Sequence, residues 1–151
     1  MKRVIVAIDE SECSITAART AVDLARLHAV EEPCCFIHVV SLKPGQLGTK
    51  AYPERPDLPE TWPVFQKALA IAREARVPVR CQVLFGKTSE MILHYARQKQ
   101  VDLIVIGCLR RSGIKESLLG NVATRVTAHA PCSVLVVRPG FRLGLNPEGT
   151  G

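Results

Sequence analysis

Five short runs of Val, Ile and Leu separated by segments of helical pattern constrain this chain more than any other feature. They are Val4–Ile8, Cys35–Val40, Val79–Leu84, Leu103–Ile106 and Ser133–Val137. Each is nearly continuous in apolar residues, without the in-out alternation of a strand that has one wet face, so each predicts a strand covered on both sides. Between the first two, Ala18, Ala21, Val22 and Ala25 share one helical face while Arg19, Asp23 and Arg26 point elsewhere. Phe65 to Arg76, Ser89 to Lys99 and Leu118 to His129 also read as helices. Strand and helix in repeated alternation imply a parallel sheet with right-handed crossovers and helices on both faces. We expect a five-stranded α/β fold of strand order 3-2-1-4-5, Rossmann-like in its winding.

The 151 residues suit one domain with a real core, 47% of them apolar and 23% charged. No apolar run approaches the ~20 residues of a membrane span, and the apolar opening meets Asp9 where a signal peptide would need a cleavage site. This predicts a cytoplasmic protein without membrane contact. The six cysteines form no C-x-x-C pair; Cys34, Cys81 and Cys132 lie in or beside strand-like runs, where a thiol serves as a small hydrophobe. A net charge of +6 favours an anionic partner. Nucleic acid is the weaker choice, because aromatics are only 5% of the chain and helix-turn-helix and zinc-finger spacings are absent.

Half of the ten prolines fall between 44 and 63 (Pro44, Pro53, Pro56, Pro59, Pro63), with Gly45 and Gly48. Proline removes donors and fixes φ, so this reads as a long loop, either disordered or a lid. Residues 139–151 read as a flexible tail after a domain of residues 1–138. Gly86-Lys87-Thr88 has the ending of a P-loop, but Cys81 holds the place of the first glycine and the intervening residues are strand-like. A turn with a helix cap at Thr88 or Ser89 explains it better. His38 reads as a core histidine with a hydrogen-bond partner. His28, His94 and His129 lie on separate helices without metal-ligand spacing, and Asp102 reads as the end of a turn. No nucleophile and base pair up with any specificity.

Ligands of open parallel sheets bind beyond the carboxyl ends of the strands. Asp9 ends the first strand, where it serves either a ligand or the cap of the following helix. After the fourth strand, the stretch from Gly107 to Val122 holds Gly107, Gly113 and Gly120, the basic Arg110, Arg111 and Lys115, and a helix start. Glycine permits close backbone approach and helix N-termini attract phosphate, so anion binding competes here with an ordinary charged turn.

The opening V-I-V-A-I-D-E-S-E, the F-I-H-V-V strand, the V-D-L-I-V-I-G approach and the H-A-P-C-S-V-L-V-V-R ending resemble the universal stress protein family from Lys2 to about Arg138. Its ATP-binding members carry G-x2-G-x9-G-[S/T] after the fourth strand. Here Gly107 and Gly120 hold the outer positions, with Arg110 at the second glycine and Asn121 at the final hydroxyl. The resemblance implies that Asp9 lies near a ribose, that the Val39 backbone meets adenine, and that Val122 adds a backbone N–H beside Asn121, itself a good N-cap. It implies a non-catalytic stress-response module binding ATP, ADP or AMP, with Mg²⁺ if a triphosphate binds, and a homodimer paired through strand 133–137. The alternatives are a nucleotide-independent member acting through protein contacts and a slow ATPase.

Overall fold

A computed structural model describes residues 1–28, 30–41, 57–108 and 120–144. In chain order they form β1 (Val4–Ala7), α1 (Glu12–Leu27), β2 (Cys34–Val40), α2 (Gln66–Glu74), β3 (Val79–Phe85), α3 (Thr88–Gln98), β4 (Leu103–Gly107), α4 (Asn121–His129) and β5 (Ser133–Val137). The strands make one parallel sheet of order β3-β2-β1-β4-β5, as expected. Expected and observed strand ends differ by one residue or none.

Side chains alternate across each strand, which divides the apolar runs between two cores. Val4, Val6, Cys34, Phe36, Val105 and Val137 meet α1 and α2 on one face. Ile5, Ile37, Val39, Ile104 and Ile106 meet α3 and α4 on the other. Continuous hydrophobicity in the central strands is therefore two half-patterns superimposed. The edge strand β3 lacks this double cover, and Arg80 and Gln82 stand exposed on it.

Helix α1 starts at Glu12, and its buried face is made of small residues, with Ala17, Ala18 and Ala21 fully enclosed. Small side chains let the helix axis lie close to the sheet. Gly107 takes this furthest: a methyl group there would sit 2.6 Å from the carbonyl carbon and oxygen of Cys13, in the first turn of α1. Real Cβ atoms do not come so close, so the contact admits only glycine.

Two helix starts differ from expectation. The cap of α3 is Lys87, which makes no side-chain capping bond, and Thr88 is already helical. Gly86 ahead of it has φ +143°, a conformation open to glycine, which turns the chain out of β3. The cap of α4 is Gly120, in extended geometry, so Asn121 is the first helical residue and caps nothing. Residues 118 and 119 of the expected helix lie outside the described residues. Phe65, the expected start of α2, belongs instead to the second of two short 3₁₀ turns, Pro59–Thr61 and Pro63–Phe65.

Those turns overlap the end of the proline-rich 44–63 stretch. Trp62 and Phe65 are buried in the core shared with α1 and α2. Residues 42–56 lie outside the described residues. At the far end of the sheet, the Asp102 carboxylate accepts the backbone N–H groups of Lys2 and Arg3 at 2.9 and 2.7 Å, tying the entry of β1 to that of β4. These bonds hold its carboxyl below the usual carboxylate range. Asp102 thus fastens two strands as well as ending a turn.

Candidate functional site

A cavity of about 160 Å³ opens at the carboxyl ends of β1, β2 and β4. It lies where the winding changes direction: the chain steps from β1 to β2 on one side and returns to β4 on the other. Its apolar wall includes Ile37, Ile92 and Ile106, from both strands and α3. The sequence-derived candidates Asp9, Val39, Gly107, Gly120 and Val122 all line it. Asn121 is exposed at the start of α4 beside them. Arg110, with Arg111 and Lys115, lies outside the described residues.

Asp9 owes its position to the turn into α1. One of its carboxylate oxygens accepts the Ser11 backbone N–H at 2.8 Å and also the Ser11 hydroxyl. Ser11 in turn caps α1 by accepting the Ser14 N–H at 3.2 Å. Ser14, only 3% exposed, donates its hydroxyl to the Asp9 carbonyl at 2.9 Å and accepts the Asp9 N–H at 3.2 Å. Asp9 is thus part of the helix-cap network, and it also lines the cavity.

Three helices direct their N-termini at this space. Ser11 stands at the head of α1, Thr88 at that of α3, and Gly120 with Val122 at that of α4. Backbone N–H groups in the first turn of a helix lack intrahelical partners and carry partial positive charge. Where three such ends converge beside an apolar wall, the combined field favours an anion attached to a flat apolar group.

Sequence reasoning missed Ser11, Ser14, Thr88 and His38 as wall residues. Residues 86–88 do not end a P-loop, since β3 continues to Phe85 directly ahead of Gly86. The glycine turn was nonetheless a usable signal, for it sets Thr88 at a helix start facing the site. His38 has the expected hydrogen-bond partner, with Nδ1 2.8 Å from the Ile8 carbonyl, but it borders the cavity as well.

The strongest shifts in acidity lie elsewhere. Burial pushes the Cys34 thiol up to about 11 and the Cys81 thiol up to about 12. Both remain protonated at neutral pH and act as apolar filler, as the sequence suggested. Among the described residues no group of three His, Cys, Asp or Glu side chains is placed to hold a metal ion. No helix among them is long and apolar enough to cross a membrane.

Residues 1–138 match the model of the universal stress protein family. Universal stress protein YxiE of Bacillus subtilis is 32% identical over 147 residues, covering 90% of this chain and 98% of its own. Universal stress protein MJ0531 of Methanocaldococcus jannaschii is 30% identical over 139 residues, covering 91% and 82%. A universal stress protein from Archaeoglobus fulgidus, solved in complex with dAMP, superposes with a TM-score of 0.66 at 25% identity over 91% of this chain and 98% of that one. Strand order and similarity along nearly the whole length agree: the chain belongs to the universal stress protein family.

Proposed function

We propose that this protein is a non-catalytic module that binds an adenine nucleotide in the cavity between β1, β2 and β4. The convergence of three helix N-termini on a space with an apolar wall, bordered by Asp9, carries this reading. The wall residues Ile37, Val39 and Ile92 suit the faces of a base, Asp9 suits a ribose hydroxyl, and the heads of α1 and α4 suit phosphate. The family relative solved with dAMP supports the same ligand class. ATP, ADP and AMP are the candidates, with Mg²⁺ entering only alongside a triphosphate. Asp9 is the only carboxylate among the described wall residues, and it is bound into a helix cap, which argues for binding rather than turnover.

Thermal denaturation with AMP, ADP, ATP and inorganic phosphate tests this. A ligand at a hundredfold excess over its dissociation constant stabilises the folded state by about 2.7 kcal/mol. For a domain of this length that corresponds to a rise of roughly 5–10 °C. No rise with any of the four refutes the reading. Hydrolysis of labelled ATP above the buffer background would instead favour a slow ATPase.

We further propose a homodimer paired through β5. Among the described residues this strand pairs with β4 alone and forms one edge of the sheet. Val134, Leu135 and Val136 are only half-buried, and no proline or charge within the strand guards its unpaired backbone groups. Val137 adds nothing to such an interface, because it is already 2% exposed within the core.

A further inference from the structure

A second cleft, of about 380 Å³, lies at the amino ends of β1, β2 and β3, against the last turn of α3. It is a strand length away from the cavity at the carboxyl ends, and on the β3 side of the sheet, remote from β5. Strand register builds its floor. Ile5 pairs with Cys35 and Cys35 with Arg80, so the three stand in one row on the face that α3 covers. Helix α3 brings Tyr95, whose hydroxyl lies 3.6 Å from the Cys35 sulfur, and ends on Lys99 one turn further along. Arg3 stands on the β1 side. Its Nε donates to Glu32 at 2.9 Å and its Nη1 to the Lys99 carbonyl at 2.7 Å, which fixes the guanidinium and neutralises the carboxylate. The second bond also occupies a carbonyl at the C-terminus of α3, where partial negative charge opposes an anion.

Charge in this cleft is unbalanced. Three cations, Arg3, Arg80 and Lys99, border it with a single carboxylate, Glu32. Arg3 takes that carboxylate, and Arg80 and Lys99 stand exposed with no ion-pair partner among the described residues. Both act on the Cys35 thiol: burial pushes it up, while the Tyr95 hydroxyl and then the charges of Arg80 and Lys99 pull it down. Strand and helix therefore bring two uncompensated cations to one place, beside the buried Ile5 and Val101.

We infer that this cleft is a second ligand site, taking a small organic dianion with its charge between Arg80 and Lys99 and its carbon skeleton over Ile5 and Val101. Dicarboxylates and phosphate monoesters share this chemistry, and the guanidinium fork of Arg80 matches the oxygens of either. The volume falls within the roughly 300–1,000 Å³ of small-molecule sites. The inference stands independently of the nucleotide reading.

Succinate and glycerol 3-phosphate are the probes, titrated into the isotope-labelled chain and followed by amide NMR. The residues that shift locate the probe: 80–82 and 98–101 report this cleft, 9–14 and 120–123 the cavity at the carboxyl ends. At least one probe should move the first set, with a dissociation constant on the order of 1 mM or tighter. Arg80→Glu with Lys99→Glu should weaken that binding by at least about tenfold. Both side chains are exposed, so the variant should fold; Arg80→Gln with Lys99→Gln, which removes the charges without reversing them, should lose affinity in the same direction. Lys67→Glu with Arg73→Glu on α2 makes the same change in net charge away from the cleft and should leave the affinity within about twofold. Whichever probe binds more tightly identifies the class of dianion. Absence of shifts at 80–82 and 98–101 with both probes overturns the inference. Equal weakening by the cleft and α2 charge reversals also overturns it, because that marks attraction to net charge alone. Both results leave the nucleotide reading intact, since AMP decides that at the other end of the sheet.

Discussion

Gly107→Ala isolates the contact on which the geometry of the cavity most depends. The added methyl carbon would meet the carbonyl carbon and oxygen of Cys13 at 2.6 Å and its Cβ at 2.7 Å, against the roughly 3.5–4.0 Å of a relaxed carbon contact. Two of the three obstructing atoms are backbone, so no rotamer change relieves the overlap. Either the head of α1 or the end of β4 must move by about 1 Å, against a core in which Val105 and Ala17 are fully buried. Overpacking of this kind costs about 1–3 kcal/mol, and a backbone obstruction belongs near the upper limit. At ~2–4 °C per kcal/mol for a domain of this size, the melting temperature should fall by roughly 5–10 °C. Because Ser11, Ser14 and Asp9 move with the head of α1, AMP affinity should fall by more than the stability loss alone implies. Circular dichroism melts and titration of the folded variant at low temperature measure the two effects separately. A melting temperature within about 1 °C of the native value would show that α1 and β4 yield easily, and the argument for an obligatory glycine would fail.

Ser11→Ala removes the cap of α1 and one of the hydroxyls holding Asp9; a loss of about 1 kcal/mol by chemical denaturation is expected, together with weaker nucleotide binding. An unchanged affinity would mean that Asp9 needs no such support. Phe65→Ala empties a fully buried ring site beside His38 and should cost about 3–5 kcal/mol in urea unfolding. Asp102 has a folded-state acidity depressed by the N–H groups of Lys2 and Arg3, so its stabilisation is fully present above the unfolded carboxyl value of ~3.9 and is lost as pH falls through the lower folded value. Asp102→Asn should therefore flatten the acid limb of the stability profile, followed by circular dichroism, and an unaltered limb counts against the tie. Val136→Lys places a charge on the β5 edge; light scattering should report a dimer for the native chain and a monomer for the variant, and a native monomer refutes the pairing.

The layered fold was open to inspection in the sequence because its causes are local. An apolar run bounded by helical periodicity needs cover on both faces wherever it occurs, and five such runs in alternation leave few ways to build a sheet. The same logic located Asp9 and Gly107, since any residue at the carboxyl end of a central strand in this topology borders the switch point. Three-dimensional packing decided the rest. That Gly107 packs against the head of α1 depended on Cys13, far away in the chain, and no periodicity encodes that distance. Asn121 had the composition of a cap, yet Gly120 took the role because the extended backbone there starts the helix one residue later. His38 looked like a core residue and packs as one against Trp62 and Phe65, while it also borders the cavity. That double character arises only when the 57–65 segment folds back onto β2. Local chemistry, then, specifies which elements form and in what order they pack. Which atoms point into the space between them depends on close contacts between residues remote in sequence.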